Sequence, residues 1–394
     1  MSKIFKISGV GCSLVDRLYR VSYGDSAFTP YLSRARGDGG LNPGQLVFRE
    51  DFEKSCSDNF HLILAKLTSN RPPEKINIGG PGIVSMIHAS QLSRDVDCEF
   101  HFYGIRGDDE DGAFIMSLTK NTPLNTSSYI TSEMETPSTL VLSDPDYQHG
   151  DGERIFINSI AAAWEYKPML LDDTFFDSDI VVFGATALLP NLHDNLTELL
   201  VHAVSKGCIT VVNTVYDFRN EQLNPHLKWP LGSSDESYRN IDLLVTDYEE
   251  ALRLSGTESI QNAMRFFRKK GAGAVIITRG AKNVSLFSTG ILFKQLDDME
   301  MPVSKAVAKS LTSGFAGDTT GCGDNFAGGV IASLASQVQK GETPPCLVEA
   351  CTWGIVSGGT ACFYMGGMYE EKEEGEKLKM IEPFYHTYKK QLEL

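Results

Sequence analysis

Gly317-Asp318-Thr319-Thr320-Gly321-Cys322-Gly323-Asp324-Asn325-Phe326-Ala327-Gly328-Gly329-Val330 places two carboxylates around a turn of small residues that runs straight into an apolar stretch. Glycines at 321 and 323 permit backbone conformations that other residues resist, and they let a ligand come close to the main chain. The run from Phe326 to Leu334 is small and apolar enough to be a buried helix. The turn then aims free N–H groups at whatever sits above the helix start, and these groups, with the helix dipole, favour an anion. Asp324 is a poor companion for an anion, because like charges repel. Its place is explained if it acts on a neutral hydroxyl beside a phosphate, taking the proton as the oxygen attacks. The plainer alternative is a helix cap and a tight turn with no chemistry.

The rest of the 394-residue chain bounds this reading. A content of 42% hydrophobic and 22% charged residues describes an ordinary globular protein with ample core. The net charge of −15 works against a nucleic-acid or anionic-membrane surface. Eight cysteines are scattered without C-x-x-C or a Cys/His spacing of the kind zinc needs, so a reduced cytoplasmic protein is expected. The N-terminus lacks the apolar core of a signal peptide. The uncharged stretch from Ala350 to Tyr369 is broken by glycines and reads as a buried helix ending at a glycine turn.

Short β-branched or apolar runs at Ile4 to Val10, Glu99 to Tyr103, Ile180 to Phe183, Ile209 to Val212, Leu243 to Val245 and Ala274 to Thr278 alternate with helical stretches. This alternation predicts an α/β fold, a parallel sheet with helices on both faces, and ligands in such sheets bind beyond the carboxyl ends of the strands. Residues 136 to 160 read as a hairpin around an Asp/Gly-rich turn. Residues 20 to 75 are rich in Gly, Pro and charge and read as a long loop, functional or disordered, and Glu370 to Lys379 reads as a charged surface loop. Gly9-Val10-Gly11-Cys12-Ser13-Leu14 lacks the third glycine of a dinucleotide fingerprint, and no G-x-x-x-x-G-K-[ST] occurs anywhere.

The pattern D-T-x-G-x-G-D before a small apolar helix resembles the signature of the ribokinase-like (pfkB) family of carbohydrate and nucleoside kinases. Weaker matches follow in the family's order from about residue 4 to 367, with insertions at 20 to 75, 221 to 240 and 299 to 312. Gly79 and Gly80 begin a segment similar to the family's G-G-x-x-x-N-x-A, but Val84 stands at the Asn position and Met86 at the Ala position. That departure removes a polar substrate contact and implies an apolar one. Gly150-Asp151-Gly152-Glu153-Arg154 resembles the lid turn of the family, from which an acidic side chain reaches the sugar; a plain hairpin tip is the alternative. Thr246-Asp247-Tyr248-Glu249-Glu250 is similar to N-x-x-E, with Asp247 in place of the Asn.

The resemblance implies a three-layer sandwich with a mostly parallel central sheet, in a single kinase domain spanning 1–394. It also implies a small β-rich lid built from parts of 12–50 and 135–160. It implies an ATP-dependent kinase of a small sugar or sugar-like substrate. Asp324 would be the catalytic base, and Gly321, Cys322 and Gly323 the anion hole. Asp16, Gly79, Gly80 and Glu153 would bind substrate, and Asn213, Thr278, Gly280, Asp318 and Thr319 would line the nucleotide. Asp247 and Glu250 are associated with Mg²⁺, with a monovalent cation such as K⁺ and a homodimer through the lid left open. A nucleoside kinase of the same fold, or a catalytically silent binding protein, are the rival expectations.

Overall fold

The computed structural model describes residues 4–35, 37–56, 58–150, 152–312 and 317–393; Arg36 and Asp151 of the segments above lie outside them. In chain order the strands are β1 Phe5–Gly11, β2 Leu14–Arg20, β3 Leu46–Phe48, β4 Lys75–Gly79, β5 Cys98–Gly107, β6 Tyr129–Ser132, β7 Ser138–Asp144, β8 Glu153–Ser159, β9 Ile180–Gly184, β10 Ile209–Asn213, β11 Leu243–Asp247, β12 Ala274–Thr278, β13 Val284–Ser288 and β14 Leu296–Met301. They form two sheets, ordered β14-β13-β12-β11-β10-β9-β1-β5-β6 and β3-β8-β7-β2-β4.

The large sheet is parallel from β12 to β6, with β13 and β14 added antiparallel at one edge. Strands covered on both faces have no solvent side to alternate towards, which is why β9 is buried at every residue and reads as one apolar run. Two buried clusters lie against this sheet. One contains Val182, Val211 and Ile276, and the other Val181, Val212 and Ile277, alternate residues on the two opposite faces of the same strands. The expected three-layer α/β sandwich is what the chain forms.

The helix Cys322–Gln339 is clamped between the helices Pro81–Leu92 and Leu347–Ala361. Its small residues make this possible. A Cβ on Gly328 would stand 2.6 Å from the Ser85 carbonyl oxygen, and one on Gly329 would stand 2.7 Å from that of Trp353. Packing on both sides fixes where the helix begins, and so where the turn at 321 points.

The small sheet is the lid expected from the hairpin. Here β7 and β8 pair antiparallel, β2 lies parallel to β7, and β3 lies parallel to β8. Asp16 lies shortly after the end of β1, inside β2. Residues 20 to 75 are not an open loop. They hold β3 and the helices Arg49–Ser55 and Phe60–Thr68, and Phe28, Phe48, Phe52, Phe60 and Ile63 are buried. These join one buried cluster with Tyr19, Leu142, Ile155 and Ile157, which share a lid face by strand alternation and register.

The charged stretch near the C-terminus also departs from expectation. Glu376–Gln391 is a helix, Lys377 is 1% exposed, and the nearly buried Glu371 carboxylate takes Arg94 Nη2 at 2.8 Å. A charge run looks solvated in sequence, but pairing lets it fold inward. Among the described residues no helix is long and apolar enough to cross a membrane.

Candidate active site

Gly321 is the N-cap of the Cys322–Gln339 helix and has φ +76°. A Cβ there would also stand 2.4 Å from Gly367 Cα, so both conformation and space demand glycine. Gly323 differs from the sequence reading: it lies inside the helix, is not among the residues of positive φ, and a Cβ on it would meet nothing within 4 Å. Its value is the open space it leaves above the helix end. The Cys322 amide is tied to the Thr319 carbonyl oxygen at 3.3 Å. Gly323 and Asp324, whose amides have no acceptor among the described residues, supply the free donors of the first turn.

Asp324 sits in that first turn and does not cap the helix, because Gly321 holds the cap position without any side-chain bond. Burial pushes its carboxyl up to about 7, with Arg154 pulling the other way. A carboxylate poised there suits proton transfer near neutral pH. Asp16 is 6% exposed, and its carboxyl is held well above the ordinary range by burial and by the charges of Asp324 and Asp318, against a Thr139 hydrogen bond and Arg154. Asn158 Nδ2 donates to Thr139 Oγ1 at 2.8 Å, so three lid strands orient Asp16 towards the helix end. Gly79 gives this carboxylate its room, since a Cβ there would overlap it at 2.1 Å. Gly80, with φ +96°, starts the Pro81–Leu92 helix against the Cys12 carbonyl.

Glu153 and Arg154, adjacent in the lid turn, lie on opposite faces of the small sheet. Neighbours on a strand point to opposite faces. Glu153 Oε2 packs 3.4 Å from where a Gly44 Cβ would stand, and Oε1 accepts the Arg154 amide at 2.9 Å. Arg154 shares its face with Asn158, and its charge acts on Asp16, Asp324, Cys322 and Cys362. Its Nε is buried without a hydrogen-bond partner. Sequence reasoning missed this residue because the face depends on register with β7.

Asn213, Asp247 and Thr278 end β10, β11 and β12, the carboxyl side where the sheet places ligands. Asn213 Oδ1 is buried without a partner. A Cβ on Gly280, which has φ +54°, would meet nothing within 4 Å. Asp318 braces the turn by accepting Thr320 Oγ1 at 2.9 Å and the Thr320 and Gly366 amides at 3.2 Å, and Thr319 is exposed beside it. Asp247 and Glu250 form a capping box, with the Glu250 amide on Asp247 Oδ1 at 2.8 Å and the Asp247 amide on Glu250 Oε2 at 3.3 Å. Thr214 also donates to Glu250, whose carboxyl is raised by burial and by Asp247.

A buried polar chain behind the turn escaped notice in the sequence. Lys377 Nζ donates to Asn325 Oδ1 at 2.9 Å, and Asn325 Nδ2 donates to the Gly321 and Gly367 carbonyls at 2.8 Å each. Burial lowers Lys377 to about 7, with Glu371 opposing. Val84 and Met86 are buried at 1% and 0% within the apolar cluster that also holds Phe326 and Val330.

The chain matches the family profile "pfkB family carbohydrate kinase" over residues 66–371. It is 30% identical over 100 residues to a cytidine kinase of Thermococcus kodakarensis, covering 25% of this chain and 32% of that protein. It is 26% identical over 177 residues to the bifunctional protein HldE of Klebsiella pneumoniae, covering 44% and 33%. It thus spans about a third of the length of these curated relatives. A probable sugar kinase from Rhizobium etli superposes with a TM-score of 0.70 at 14% identity, covering 98% of this chain and 100% of that one. Adenosine kinase from Sinorhizobium meliloti gives 0.69 at 15% identity, covering 96% and 99%. Likeness at that identity speaks for the fold, and the profile match speaks for more: from its glycine turn to its lid, this chain belongs to the pfkB family of carbohydrate kinases.

Proposed function

We propose that the protein transfers the γ-phosphate of ATP to a hydroxyl of a small sugar or sugar-like substrate. The observation that carries this is the Asp324 carboxyl, raised to about 7, beside the open helix end at Gly323 and facing Asp16 on the lid. Asp16 holds a substrate hydroxyl, and Asp324 takes the proton of the attacking one. The Gly323 and Asp324 amides and the Arg154 guanidinium face the charge that develops on the transferring phosphoryl group. The nucleotide lies along Gly280, Thr278, Thr319 and Asn213, where the ends of the strands leave open space. A helix terminus contributes only ~1–2 kcal/mol. Enzymatic acceleration needs at least ~8 kcal/mol, so base, lid and positioning must carry most of it.

Among the described residues no three His, Cys, Asp or Glu side chains are grouped to hold a metal by themselves. Asp247 and Glu250, already bonded to each other, fit the outer waters of a Mg²⁺ that arrives with the nucleotide. Bound there, Mg²⁺ would neutralise triphosphate charge. Lys377 already stands behind the turn, and no step is assigned to K⁺. The eight cysteines are free thiols, in keeping with a reducing compartment such as the cytoplasm.

A nucleoside acceptor is the second reading, carried by the similarity to the cytidine kinase. ATP consumption measured across sugars, polyols and nucleosides separates the readings. Stimulation by one class selects it, and ATP binding without stimulation by any would leave a silent binding protein.

Two expected results belong to the lid. Asp16→Ala should raise the substrate KM about ten- to two-hundred-fold, the worth of a hydrogen bond to a charged group, and leave the ATP KM within a few-fold. A rise in the ATP KM instead would move Asp16 to the nucleotide side. Arg154→Ala should lower kcat/KM about ten-fold or more, whereas Glu153→Ala stays within a few-fold. The reverse ranking would restore Glu153 as the lid residue that reaches the site.

A further inference from the structure

We propose that Cys322 and Cys362 form a reversible oxidation site that closes the anion hole by a disulfide. Their sulfurs stand 3.3 Å apart although the residues are 40 positions apart in sequence. Cys322 opens the Cys322–Gln339 helix, and Cys362 is the C-cap of Leu347–Ala361. The two helices are already pressed together here, since a Cβ on Gly358 would stand 2.9 Å from the Cys322 carbonyl oxygen. Both cysteines are half-buried and so remain accessible to a small oxidant.

The two thiols are not alike. The Cys322 thiol points at Cys362 and, with the Arg154 guanidinium near, draws Cys362 below its ordinary value against the effect of burial. Cys322 is pushed up by the same contact and by burial. Either sulfur can attack and the other resolve, and both routes end at the same disulfide; the Arg154 charge and the lowered thiol favour Cys362 as the attacker.

With hydrogen peroxide as oxidant, the Cys362 thiolate attacks one peroxide oxygen and the O–O bond breaks. The other oxygen leaves as hydroxide and takes a proton to become water, leaving a sulfenic acid on Cys362. The Cys322 sulfur then attacks that sulfur, the S–O bond breaks, and the hydroxyl departs with the Cys322 proton as a second water. Two thiols and one peroxide give one disulfide and two waters, with the sulfur pair oxidised by the two electrons that reduce the peroxide.

A disulfide holds its sulfurs at about 2.05 Å, so the pair must close by more than ~1 Å. The Cys322–Gln339 helix is clamped along its length, so the movement falls on its first turn. Cys322 is bonded in sequence to Gly321, the N-cap that Asn325 ties to Gly367 through its side-chain amide, and to Gly323, whose amide is one of the free donors of the first turn. The shift thus reaches the donors that the transfer needs. The loss of activity rests on the kinase reading above; the disulfide itself does not.

The test treats the reduced full-length protein with hydrogen peroxide, maps its cysteine peptides by mass spectrometry, and follows phosphoryl transfer before treatment, after it and after dithiothreitol. The expected result is a Cys322–Cys362 peptide, turnover reduced about ten-fold or more, and recovery with dithiothreitol. Cys362→Ala should keep basal turnover and lose none to peroxide; Cys362→Ser serves if the alanine variant folds poorly. Absence of the linked peptide overturns the proposal, as does a linked protein that turns over like the reduced one. If the reduced protein transfers no phosphoryl group at all, the kinase reading fails, while the peptide map still decides whether the thiols pair and ATP binding to the linked form decides whether the hole is closed.

Discussion

Asp324→Asn is expected to lower turnover by ~10²- to 10⁴-fold, the usual worth of a general base, with ATP affinity near that of the wild type. Asparagine keeps the shape of the side chain and its place in the first helical turn but cannot take a proton. The same substitution should not harm the fold. The folded protein raises Asp324 from 3.8 to about 7, so the protonated form is favoured in the native state. Any stability this gives is fully present below the unfolded value and is lost as pH rises through about 7. At pH above that point the wild type carries a half-buried charge that the neutral amide avoids. Thermal unfolding there should place the variant at or above the wild type, which separates lost chemistry from lost structure. Turnover within a few-fold of wild type would remove Asp324 from the base role.

Gly321→Ala is the second large effect, and it acts through the backbone. The φ of +76° at this position is costly for alanine, and the added Cβ would overlap Gly367 Cα at 2.4 Å. The obstacle is main chain on both sides, so no side chain can swing away. The Asn325 amide bridges the same two residues, Gly321 and Gly367, and would be pulled out of register. We expect a stability loss of ~1–3 kcal/mol from the strained residue. Turnover should fall ~10²- to 10³-fold as the first-turn donors shift. Gly323→Ala is the control. Its Cβ meets no protein atom, so unfolding should be unchanged while turnover drops if a phosphate passes there. Normal stability and turnover in Gly321→Ala would show that the turn tolerates a different conformation.

Much of this site was legible because its signals are local. A glycine turn, a carboxylate and a small apolar run are contiguous, and small residues in that helix are needed for the neighbours it packs against. The alternation of apolar runs with helical stretches was legible for the same reason. What failed depends on partners distant in sequence. Arg154 and Glu153 are adjacent, and only the register of β8 against β7 decides which faces Asp324. Lys377 and Glu371 lie in a charge run whose burial is made possible by Asn325 and Arg94. The strand that carries Asp16 was not read from the sequence, because β2 is held in place by β4 and β7, which are distant in the chain. Residues 20 to 75 looked like an open loop because their buried aromatics are spaced widely among Gly, Pro and charge. Val84 and Met86 are buried in the packing around the Cys322–Gln339 helix, which their sequence context does not reveal.

The most direct test is the pH dependence of single-turnover phosphoryl transfer to the acceptor, followed in wild type and Asp324→Asn. The base must be ionised to act, so the wild-type rate should fall as pH drops through about 7, and the variant should be slow and lack that limb. A variant that keeps both the wild-type rate and the limb near 7 would contradict the assignment of Asp324 as the base.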